Sequence, residues 1–93
     1  MQTFVILRRS AWATGPDLEA AAAKSTQVGD EEMSDQVRWI RSYVLDEEDG
    51  TLGTVCIYQA VDEDAILEHA KRADLPADEV IPVADTVLVR DDP

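Results

Sequence analysis

Two short stretches of this chain echo each other: Thr3-Phe4-Val5-Ile6 and Thr54-Val55-Cys56-Ile57 are both apolar and β-branched, and each precedes a helix start. The echo constrains the fold more than any other feature. Two strand-then-helix units, each needing a closing strand, account for most of the 93 residues. The predicted order is βαββαβ, two βαβ halves sharing one antiparallel sheet with both helices on one face. Residues 1–93 are therefore expected to form a single α+β domain of ferredoxin-like type, since a chain this short buries only one core.

Local signals fill in the elements. Residues 2–9 contain Phe4-Val5-Ile6-Leu7, a run short and apolar enough for a strand buried on both faces. Thr14-Gly15-Pro16-Asp17 reads as a helix start, with a capping hydroxyl, a proline suited to the first turn and an acid near the positive end of the helix dipole. Leu18, Ala21, Ala22, Ser25 and Val28 follow at helical spacing, and the helix is expected to lapse near Gly29. Residues 36–45 predict a second strand, with Trp39, Arg41 and Tyr43 on one face and Ile40 and Val44 on the other. The polar turn Asp46-Glu47-Glu48-Asp49-Gly50 joins it to a third strand, residues 51–60, in which Thr54, Cys56 and Tyr58 share a face. Asp62-Glu63-Asp64 caps a second helix whose Ile66, His69, Ala70 and Ala73 point inward, and Pro76 is expected to stop it. Val80-Ile81-Pro82-Val83, leading to Thr86-Val87-Leu88-Val89, predicts an edge strand or two short strands joined by a bend, because Pro82 lacks an N–H for the ladder.

Both faces of these strands carry apolar or aromatic residues, and the helices can hide only one. The expected cover for the other is a second copy of the chain, giving a homodimer whose two sheets pack into a dimeric α/β barrel.

Charge and composition narrow the function classes. Twenty acidic residues against eight basic ones give a formal net charge of −12, and the cations are scattered, so a nucleic acid partner is not expected. The acids fall in short clusters that read as solvated loops and helix starts, with weak divalent cation binding as the sharper alternative. A lone cysteine and no leader-like opening predict a reducing cytoplasm, and no apolar run approaches the ~20 residues of a membrane span.

The residues able to carry chemistry are Trp39, Arg41, Tyr43, Cys56, Tyr58 and His69, which together would suit a small-molecule pocket if the Trp39/Cys56 face looks toward the helices. Each also has a plainer role. A single histidine on an apolar helix face is commonly a hydrogen-bonded core residue, and Cys56 between Val55 and Ile57 reads as an inert buried thiol. Trp39, Tyr43 and Tyr58 serve equally as core or interface aromatics. Arg41, between Trp39 and Tyr43, must be paired, stacked or exposed, and suits an anionic ligand or a partner's carboxylate. There is no phosphate-binding glycine loop, no paired zinc motif and no Ser/His/Asp signature.

Val37-Arg38-Trp39-Ile40-Arg41-Ser42-Tyr43-Val44, Cys56-Ile57-Tyr58-Gln59-Ala60, Asp62-Glu63-Asp64-Ala65-Ile66 with Glu68-His69-Ala70, and Leu75-Pro76-Ala77-Asp78-Glu79-Val80 occur in this order. Together they resemble a family of small ferredoxin-like proteins of actinobacterial type whose best-described type is a nickel-binding homodimer. The likeness runs over residues 3–89. It implies a non-catalytic homodimer that binds nickel or a similar divalent transition metal, and the histidine of the Glu-His-Ala motif matches His69 as the metal's nitrogen donor. The acidic hairpin 46–49 and the stretch 33–36 look like departures in loop length. The alternative, by analogy of fold alone, is a small-molecule-binding dimeric α/β-barrel enzyme such as a cofactor-free monooxygenase or isomerase. A cavity lined by Trp39, Tyr43, Cys56, Tyr58 and His69 would favour it. A purely structural or regulatory dimer would have neither cavity nor metal.

Overall fold

The computed structural model describes residues 1–91. Its elements run β1 (Gln2–Trp12), α1 (Gly15–Gln27), a π-helical turn (Val28–Glu32), β2 (Val37–Asp46), β3 (Leu52–Ala60), α2 (Glu63–Ala73) and β4 (Glu79–Pro82). The strands form one antiparallel sheet in the order β2-β3-β1-β4, so the two echoed segments are its central strands. This is the ferredoxin-like arrangement expected from the element order. No helix is long and apolar enough to cross a membrane.

Both helices start where the caps predict. Thr14 Oγ1 accepts from the Asp17 amide at 3.3 Å, and Asp62 Oδ1 accepts from the Ala65 amide at 2.8 Å. Their ends depart from expectation. α1 does not lapse at Gly29 but widens into the π-helical turn, whose Val28 carbonyl accepts from Met33 N and so brings Met33 into the core. α2 stops at Ala73 because Asp74 adopts the left-handed conformation at φ 56°, two residues before Pro76 is reached.

Alternation assigns the faces of the sheet. Phe4, Ile6 and Arg8 on β1, and Thr54, Cys56, Tyr58 and Ala60 on β3, point toward the helices and are buried. With Met33, Val37, Ile66 and Ala73 they enclose the core. Val5, Leu7, Val55, Ile57 and Ile81 take the opposite, outer face, which neither helix covers.

On β2 the expected alternation fails. Trp39 pairs with Tyr58 and Arg41 with Ile57, so Ile40 is an extra residue, a β-bulge that turns the strand over. Trp39, Ser42 and Val44 consequently share the helix-facing side, whereas Arg41 and Tyr43 take outer-face register. The predicted grouping of Trp39 with Arg41 and Tyr43 is thus corrected.

β1 is longer than predicted and also irregular. Its register with β3 shifts between Arg8 and Trp12, where Ser10 lies at φ 49°. Gly53 opposite makes room for this bend, since a Cβ there would stand 2.7 Å from the Arg8 carbonyl oxygen. Glu47 pins the bend from the β2–β3 hairpin, accepting from Arg9 Nε at 2.8 Å and Nη2 at 2.9 Å. At the other edge β4 is the expected proline-bearing edge strand, but residues 86–89 add no second strand.

Candidate functional site

A cavity of about 640 Å³ opens between α1 and the helix-facing side of β2 and β3. Its origin is compositional. α1 presents Ala21 and Ala22 to the sheet, and only Ser25 among its thirteen residues is buried, so the helix stands off where larger side chains would have closed the gap. The floor comes from the strands: Arg8 of β1 with Thr54, Cys56 and Tyr58 of β3. Trp39, Ile40 and Val44 of the edge strand β2 form an exposed apolar lip.

Arg8 dominates the floor and is 1% exposed. Its Nε donates to the Pro76 carbonyl at 2.6 Å and its Nη1 to Cys56 Sγ at 3.2 Å, while Cζ lies 5.8 Å from the centre of the Tyr58 ring. Nη2 is buried with no hydrogen-bond partner. None of the ion pairs among the described residues involves Arg8. Sequence reasoning counted Arg8 only among scattered cations. The signal that could have found it is its period-2 spacing with Phe4 and Ile6, which puts a cation in line with the core face.

Behind the floor lies a polar junction of three elements. Ser25 Oγ and Tyr58 Oη share a hydrogen bond of 2.9 Å, and the Ser25 carbonyl accepts from His69 Nε2 at 3.0 Å. Because a carbonyl can only accept, Nε2 carries the proton. The Tyr58 and His69 rings are 5.3 Å apart and tilted by 60°, and Trp39 stacks on Tyr58 at 6.0 Å. Burial pushes the Tyr58 hydroxyl above its usual pKa, against the opposing pull of the Ser25 bond. Burial likewise holds the His69 imidazole below its usual pKa; the bond to Ser25 opposes this, and the nearby Arg8 charge adds to it. His69 is therefore a neutral core imidazole at neutral pH.

Of the six sequence candidates, Trp39, Cys56 and Tyr58 meet at the cavity, and Arg41 joins its lining from the β2 edge. Tyr43 and His69 are not part of the lining: the bulge turns Tyr43 to outer-face register, and His69 sits behind Tyr58. Cys56 Sγ contacts Arg8 and donates to Thr54 Oγ1 at 3.3 Å, so it is not paired with His69 as a nucleophile and base would be.

Among the described residues, no three His, Cys, Asp or Glu side chains converge as a metal ion requires. His69 has committed Nε2 to Ser25, and the cavity floor carries a guanidinium rather than carboxylates. The described residues of one copy do not make a nickel site.

Comparison with known proteins adds family context. The profile of a family described as "Nickel responsive protein SCO4226-like" matches residues 4–83. The crystal structure of SCO4226 from Streptomyces coelicolor A3(2) superposes with a TM-score of 0.73 at 20% identity, over 91% of this chain and 99% of that one. A search of curated proteins found no match.

Proposed function

This chain belongs to the SCO4226-like family of nickel-responsive proteins, and from that premise we propose that it acts as a non-catalytic homodimer that binds a divalent transition metal, nickel first. The observation that carries the proposal is the outer face of the sheet. The half-buried Val5, Leu7, Val55 and Ile57 and the exposed Ile81 form an apolar surface there that no helix or strand among the described residues covers. Charge favours a second copy as the cover. Among the described acidic residues only Glu79 has an outer-face register position, against Arg38 and Arg41, so two such faces meet with little like-charge repulsion.

Since one copy brings no three donors together among its described residues, the metal in this proposal takes its ligands from two copies, and binding requires the dimer. The non-catalytic part of the proposal is supported by His69 and Cys56, which together could form a nucleophilic pair, being engaged with other partners. Calorimetric titration of nickel into metal-free protein is the test, run beside Ile57→Glu, which puts a charge at the centre of the outer face. Saturable heat in the wild type and none in a folded Ile57→Glu monomer is expected. Equal heat in both would overturn the two-copy site.

The cavity favours a second reading, a small-molecule-binding barrel enzyme such as a monooxygenase or isomerase. Turnover of a small substrate there would have to work with Cys56, Tyr58 and Arg8 in reach and with His69 shielded by Tyr58.

A further inference from the structure

We propose that the cavity beneath α1 binds a small organic monocarboxylate, its charge paired with Arg8 and its apolar body held against the Trp39 ring and the alanines of α1. This goes beyond the metal-linked role and stands on different residues.

The first observation is an uncompensated cation. A guanidinium is a permanent charge, and burying one without an anionic partner forfeits its hydration with no counter-charge in return. Arg8 has a carbonyl, a thiol and the ring and hydroxyl of Tyr58 as neighbours, but no carboxylate among the described residues, and Nη2 makes no hydrogen bond. A ligand carboxylate supplies what is missing. Such a group binds a guanidinium through charge-assisted hydrogen bonds.

The second observation is the cavity's polarity gradient. Its deep end carries Arg8, Thr54 and Cys56, all nearly inaccessible, whereas Trp39 is 36% and Val44 54% exposed at the lip. A ligand oriented by this gradient enters charge first and leaves its apolar part on Trp39 and Val44. About 640 Å³ suits a body of one ring or a short aliphatic chain.

The third is the surrounding field. Glu19 and Asp30 stand in the lining on the side away from the floor strands, and the whole chain carries −12. Arg8 supplies the counter-charge on the floor and Arg41 stands apart at the β2 edge of the lining, so a further negative charge on a ligand meets this field with no second cation beside Arg8, and a monoanion is selected over phosphate or a dicarboxylate.

Both tryptophans of the chain, Trp12 and Trp39, line the cavity, so intrinsic fluorescence reports on its occupancy. The test titrates metal-free full-length protein with benzoate, phenylacetate and hexanoate, beside their neutral amides and inorganic phosphate. At least one carboxylate is expected to saturate with Kd below about 1 mM, with its amide and phosphate at least tenfold weaker. Arg8→Met should lose at least tenfold in that affinity. Ala22→Phe, which keeps Arg8 and fills the space before α1, should abolish saturation and decides the matter if Arg8→Met does not fold. No saturable change with any of the three carboxylates, amides binding as well as acids, or unaltered binding in Ala22→Phe would each overturn the proposal and leave the metal-linked dimer untouched.

Discussion

Tyr58 sits where α1, α2 and β3 meet, and its hydroxyl shares a 2.9 Å hydrogen bond with Ser25 Oγ. Tyr58→Phe keeps the ring against His69 and Trp39 but leaves a buried serine hydroxyl without that partner, so it should cost about 1–3 kcal/mol in urea unfolding. His69 gives the pH dependence. Its folded pKa is held below the usual value of about 6.5, so on acidification the unfolded chain takes the proton first. The associated stability is complete above about pH 6.5 and is lost as the pH falls through the lowered folded value. Denaturation between about pH 7.5 and 5 should show this decline in the wild type, and His69→Gln should flatten it. Arg8 behaves differently. Arg8→Met relieves an unpaired buried charge but leaves the Pro76 carbonyl without its donor, so the two effects oppose and unfolding stability should change by less than about 3 kcal/mol. A loss of about 3 kcal/mol or more would mark Arg8 as a structural residue. The inward histidine was legible from helical spacing with Ile66, Ala70 and Ala73. The burial of Arg8 is less legible, because a cation in a strand reads first as a surface charge and only its alternation with Phe4 and Ile6 places it on the core face.

At the scale of elements, the predictions concern how segments begin and bend. Asp62 accepts from the Ala65 amide to cap α2, so Asp62→Ala should cost about 1 kcal/mol. Gly53→Ala should cost about 1–3 kcal/mol, because the new methyl meets the Arg8 carbonyl at the β1 bend and backbone must move to admit it. Differential scanning calorimetry on both variants checks these figures. The caps, the hairpin and the βαββαβ order marked by the echoed strands were all legible, since each rests on local chemistry or on repetition. The bulge at Ile40 was not. Nothing in Val37-Arg38-Trp39-Ile40-Arg41-Ser42 breaks an alternating pattern, and the extra residue emerges only when β2 is set against β3. That single insertion separates the register of Arg41 and Tyr43 from that of Trp39, which stays on the cavity side, so it decides which face each candidate residue takes.

The whole molecule is a sheet with helices on one side and an apolar surface on the other, carrying a large negative charge. Two copies at −12 each repel over a distance set by salt, with a Debye length of ~10 Å at about 0.1 M. Added salt should therefore tighten the dimer, since its contact is apolar and the repulsion between copies is screened. The most direct measurement is sedimentation of the full chain at low micromolar concentration, beside Ile57→Glu. The sheet-to-sheet account predicts a dimer for the wild type and a folded monomer for the variant. A wild type that sediments as a well-folded monomer under these conditions contradicts it.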